Sequence, residues 1–140
     1  MAALAMGTPT DGRHPSHMDN RIESARGAER LRAYHVAVEL ADRVHEVASR
    51  GRCTSWRRDQ LIRSSESAVL NTVEGAGHYQ PGKKIYHYEL AKGSAEECKA
   101  ALRLLRRRDG RVDVREAIRT VDTLCALLIA LIKSQEKRCR

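Results

Sequence analysis

Residues 83–107, KKIYHYELAKGSAEECKAALRLLRR, decide the fold. Tyr88, Ala91, Ala95, Cys98, Leu102 and Leu105 recur there at steps of three and four without a break. Side chains at that spacing share one face of an α-helix, so the stretch is an amphipathic helix with one stripe to bury. Asp109-Gly110 ends it. One helix cannot cover its own stripe, and the rest of the chain must supply the partners.

Three further stretches carry the same period. The first runs from about Glu29 to Arg50, with Tyr34, Ala37, Leu40 or Ala41, Val44 and Val47 on one face. Gly51 interrupts it, and Thr54 or Ser55 is placed to N-cap the next helix. That second helix spans about Trp56 to Ala76, with Leu61, Ile62, Ser65, Ala68, Val69, Thr72 and Val73, and a loop with Gly75, Gly77, Pro81 and Gly82 follows. The fourth opens at Asp113, with Glu116 three residues on as an acidic variant of the capping box, and reaches about Lys137. Short connections make sequential helices antiparallel neighbours, so the expected fold is all-α, an antiparallel up-down-up-down four-helix bundle over residues 29–140. Residues 1–28 hold Gly7, Pro9, Gly12, Pro15, Asn20 and Gly27, the composition of a disordered leader. Met18 offers a second translation start within it.

The fourth helix is apolar over two seams. Val114, Ile118, Val121, Cys125, Leu128 and Ile132 form one, and Ala117, Leu124, Leu127 and Leu131 the other. Either this is the most buried helix, or Leu124, Leu127 and Leu131 face another subunit. Within the third helix, Gly93 costs about 1 kcal/mol relative to alanine, which points to a close helix–helix approach there.

The 140 residues carry 26 Lys and Arg against 18 Asp and Glu, a net charge of +8. A basic chain seeks an acidic partner, most simply RNA or DNA. Aromatics make up 4% of the chain, too few for a stacking platform that reads bases. No apolar run is long enough to span a membrane. Cys53, Cys98, Cys125 and Cys139 have no zinc-site spacing. Reduced thiols in a cytoplasm are the expectation, with no cofactor and no metal.

Catalytic patterns fail on inspection. Gly77-His78-Tyr79-Gln80-Pro81-Gly82-Lys83-Lys84 has P-loop spacing, but Lys84 replaces the magnesium-binding hydroxyl and a helix precedes it where the motif needs a strand. His45-Glu46 lacks the second histidine of a zincin, since Ser49 occupies that place. His87 and Cys98 lie three turns apart, roughly 16 Å, so they are no nucleophile pair within one helix. The expectation is a protein that is not an enzyme.

The arginines are the informative remainder. Arg50, Arg52, Arg57, Arg58 and Arg63 stand against Asp59 alone, and Lys99, Arg103, Arg106, Arg107, Arg108 and Arg111 against Asp109 alone. In the expected topology the first and third connections lie at one end of the bundle, which would merge both clusters into a phosphate-binding surface. The residues assigned to it are Arg50, Arg52, Arg57, Arg58, Arg106, Arg107, Arg108 and Arg111. Lys83, Lys84, Lys133, Lys137, Arg138 and Arg140 would gather at the other end. The competing reading is plainer: cations near helix C-termini favour the macrodipole, and charge runs are commonly solvated faces.

Three segments carry a resemblance to a known family. They are Leu31-x-Ala33-Tyr34-x-x-Ala37-x-x-Leu40, then Asn71-Thr72-Val73-Glu74-Gly75-Ala76-Gly77, then Leu90-Ala91-Lys92-Gly93-Ser94-Ala95-Glu96-Glu97-Cys98. Together they resemble the bacterial four-helix-bundle proteins related to those encoded in intervening sequences of 23S rRNA genes, over about residues 30–135. The resemblance implies a homopentameric ring of antiparallel bundles. It extends distantly to the accessory variability determinant of diversity-generating retroelements, which implies nucleic acid and a reverse transcriptase as partners. Glu66, Lys84, His78 and Tyr34 depart from the family pattern. For the signature residues Asn71, Glu74, Gly75, Gly77, Gly93, Ser94 and Glu97 we expect a structural role. Asn71, Glu74, Ser94 and Glu97 would form a polar cluster with an arginine such as Arg63, or Glu74-Gly75 would end a helix with Gly75 or Gly77 left-handed.

Overall fold

A computed structural model describes residues 27–28 and 31–140. The expected leader falls outside the described residues except for Gly27 and Ala28, and so does the Glu29 start expected for the first helix. Four long helices follow one another: α1 (Arg32–Arg50), α2 (Ser55–Gly77), α3 (Pro81–Arg108) and α4 (Arg115–Arg138). Each packs on two neighbours, α1 on α2 and α4, and α3 on α2 and α4, which closes an antiparallel bundle. No strand occurs among the described residues.

Local chemistry sets the ends of the helices. The Thr54 hydroxyl accepts the Arg57 N–H at 3.3 Å and caps α2. Pro81 opens α3, where its missing N–H costs nothing. The expected capping box on α4 does not form. Val114 occupies the N-cap position, Asp113 accepts the Arg115 N–H from one residue earlier, and Glu116 pairs with Arg119 at 2.7 Å. Gly75 and Gly77 belong to α2, and no described residue has a positive φ, so neither glycine forms a left-handed cap.

The core takes Ala33, Val36, Ala37, Leu40 and Val44 from α1. That face is rotated slightly from the expected one, leaving Tyr34 half-buried. From α3 come all six residues of its apolar stripe, Tyr88 to Leu105, each buried. The buried face of α2 is small and partly polar: Ser64, Ser65, Ala68, Thr72 and Gly75 beside Leu61. Its hydroxyls stay satisfied by donating back to their own helix, Ser64 to Leu61 O, Ser65 to Ile62 O and Thr72 to Ala68 O, at 2.7–3.2 Å. Small side chains let α3 approach, and Tyr88 lies so close to Gly75 that a Cβ there would sit 2.6 Å from the ring. The tight contact expected at Gly93 is therefore at Gly75 instead, and a Cβ on Gly93 meets nothing within 4 Å.

On α4, Leu124 is fully buried in the chain's own core, as are Val121 and Leu128. This corrects the assignment of Leu124 to a subunit-facing seam. Leu127 and Leu131 are only half-buried.

Candidate nucleic-acid interface

Folding brings the first and third connections together at one end of the bundle. The Arg52 backbone N–H donates to Asp109 Oδ2 at 3.2 Å, a link across 57 residues. Beside it, a Cβ on Gly51 would stand 3.2 Å from Val112 Cγ2, so the two connections are in van der Waals contact. Asp109 also accepts the Arg111 N–H at 3.2 Å. These two backbone donors, more than the arginine charges, hold its carboxyl below the usual carboxylate range.

Around this junction Arg50, Arg52, Arg58, Arg106, Arg107, Arg108 and Arg111 are exposed and Arg57 is half-buried. Arg106 donates to the Gly110 carbonyl and Arg111 lies 3.7 Å from Asp109. Among the described residues the side chains of Arg50, Arg52, Arg57, Arg58, Arg107 and Arg108 form no ion pair. The expected residues thus share one end of the molecule, and among the described residues six of the eight have guanidinium groups outside any ion pair.

A groove of about 550 Å³ opens at the same end. Its charged lining is four arginines, Arg43, Arg50, Arg52 and Arg111, against four carboxylates, Glu46, Asp109, Asp113 and Glu116. A groove so balanced offers a phosphate no net attraction. The uncompensated cations lie beside it, on the first turn of α2 and the last turn of α3.

The lysine-rich end also assembles in part. Arg138 is close enough to Lys84 to help lower its pKa, after burial, the larger cause. Lys84 is not poised for a phosphate, because its Nζ donates to the carbonyls of Gly75 and Ala76 at 3.2 and 3.0 Å and closes the C-terminus of α2. That pairing removes what remained of the P-loop resemblance.

The family-signature residues divide. Ser94 meets Ser67 Oγ at 2.9 Å, and Asn71 Nδ2 donates to the carbonyl and hydroxyl oxygens of Ser67. Glu97 and Arg63 are exposed and outside this network, and Glu74 faces His78 at 3.9 Å. Ser67 is the member that sequence reasoning missed, although its spacing of four from Asn71 was legible. Also missed was the meeting of Glu74, His78 and His87, because His87 reaches the group from the next helix. Burial raises the Cys98 thiol to about 11, and Cys125 is pushed equally high by burial and by nearby Glu96. Both are packing groups rather than nucleophiles.

No described helix is long and apolar enough to cross a membrane. Residues 29–132 match the family described as 23S rRNA-intervening sequence protein, and the chain belongs to that family. No curated protein and no solved structure matches the chain, so the more distant resemblance to the retroelement determinant gains nothing from them.

Proposed function

We propose that this member of the 23S rRNA-intervening sequence protein family is a non-enzymatic bundle that binds RNA or DNA through phosphate contacts at its arginine-rich end. The observation that carries the reading is the Arg52–Asp109 link, which joins two cationic segments that are far apart in sequence. Arg57, Arg58, Arg107 and Arg108 are the leading contacts, since among the described residues no acidic side chain pairs with them and guanidinium suits bidentate phosphate recognition. With few aromatics to stack on bases, binding is largely independent of sequence. Fluorescence anisotropy of the full chain on short RNA and DNA tests this across about 50–200 mM salt, where counterion release makes affinity fall steeply. Absence of binding at low salt, or indifference to salt, removes the proposal.

A second reading, an adaptor that self-associates and docks a partner enzyme such as a reverse transcriptase, is favoured by exposed apolar side chains. Trp56, Leu70 and Leu104 are each more than half exposed, and Tyr86, Leu90 and Ile129 are also open to solvent. They offer contact points for a homo-oligomer, and the pentamer implied by the family resemblance is the form we propose.

A further inference from the structure

At the end of the bundle opposite the arginines, Glu74 and His78 stand four residues apart where α2 finishes, and His87 joins them from α3. One ligand atom from each lies within 4.8 Å of the others. Glu74 Oε2 is 3.9 Å from His78 Nε2, and the two imidazoles stack with centroids 4.9 Å apart and 16° between planes. Imidazole lone pairs lie in the ring planes, so the two rings must turn out of their stack for all three donors to make the roughly 2.0–2.2 Å bonds of zinc to imidazole and carboxylate. We propose that Glu74, His78 and His87 form a mononuclear site for a borderline divalent transition cation of the zinc class, tying the end of α2 to α3.

One feature of the surroundings supports a cation there. His87 Nδ1 lies 3.5 Å from Asn71 Oδ1, and Asn71 is oriented by its own two donations to Ser67. That amide oxygen can only accept, so the contact favours the tautomer with the proton on Nδ1 and the lone pair on Nε2, the usual outer-shell arrangement of a metal-ligating histidine. The site also lies at the C-terminus of α2, the negative end of its dipole. The Lys84 ammonium already satisfies two carbonyls of that end, Gly75 O and Ala76 O, so the dipole adds little to cation binding there. Two imidazoles and one carboxylate favour zinc, cobalt, nickel or copper over magnesium and calcium, which prefer all-oxygen sites. Three protein ligands leave a fourth position for water.

The test is calorimetric titration of untagged full-length protein with Zn²⁺, alongside Co²⁺ absorption spectra and thermal melts. One equivalent should bind per chain, with a tetrahedral cobalt spectrum and a raised melting temperature. His78→Ala and His87→Ala should each weaken binding by at least tenfold and abolish the thermal shift, and Asn71→Ala should weaken it by about tenfold. Circular dichroism confirms that these variants remain folded, and His78→Gln with His87→Gln serves as a second pair if either alanine variant unfolds. Cys53→Ser with Cys139→Ser should bind as the natural chain does. Loss of binding in that thiol pair, undiminished affinity in the histidine variants, or an equal response to Mg²⁺ would each overturn the proposal. Nucleic-acid affinity is read separately and bears on neither outcome.

Discussion

Two glycines show how single residues divide between legible and hidden. Gly93 stands in mid-helix, and its intrinsic cost suggested a close helix contact. Gly75 stands in a Gly-rich run and suggested a loop. The structure exchanges these roles, because the close approach depends on the Tyr88 ring arriving from another helix, which no local pattern reveals. Gly75→Ala should therefore destabilise the protein by about 1–3 kcal/mol, since Tyr88 is buried and cannot retreat. Gly93→Ala should stabilise it by about 1 kcal/mol, as its Cβ enters open space. Denaturant melts of both variants check this, and a shared sign would contradict the packing described. Asp109 gives a pH prediction. Its carboxyl is depressed in the folded state, so the stability it adds is present above the ordinary carboxylate pKa of about 4 and is lost as pH falls below that value. The melting-temperature gap between the natural chain and Asp109→Ala should be full at pH 6 and shrink below about pH 4.

Among the elements, α3 and α4 were legible because strongly periodic apolar side chains mark them. Helix α2 was legible in extent, but its buried face is mostly serine, threonine, alanine and glycine. Hydroxyls that donate to their own helix can be buried at little cost, a reconciliation that depends on the backbone rather than on composition. Its start was also legible: Thr54→Ala should cost about 1 kcal/mol by removing the N-cap. The two seams of α4 could not be told apart by period alone. Burial now separates Leu124, which belongs to the chain's own core, from half-buried Leu131. If α4 helps to form the proposed oligomer, Leu131→Glu should reduce the mass seen by light scattering while circular dichroism stays helical. Leu124→Glu should instead unfold the chain, by burying an unpaired charge. An unchanged mass for Leu131→Glu would move the subunit interface to another face.

For the whole molecule, topology converts two separate charge runs into one surface. Counting arginines located both runs, and helix order placed them at one end. Neither could show that the groove beside them is charge-balanced, because its carboxylates come from α1, the third connection and α4. The proposed interface is therefore the exposed rim of α2 and α3 rather than the concavity beside it. The most direct test is the salt slope of RNA affinity for three charge-reversed pairs: Arg57→Glu with Arg58→Glu, Arg107→Glu with Arg108→Glu, and Lys133→Glu with Lys137→Glu. Each arginine pair should weaken binding and reduce the slope by about one for every phosphate no longer engaged, while the lysine pair at the far end leaves the slope close to that of the natural chain. Equal weakening by all three pairs, or an unaltered slope in the arginine pairs, would contradict a phosphate-binding surface at the arginine-rich end.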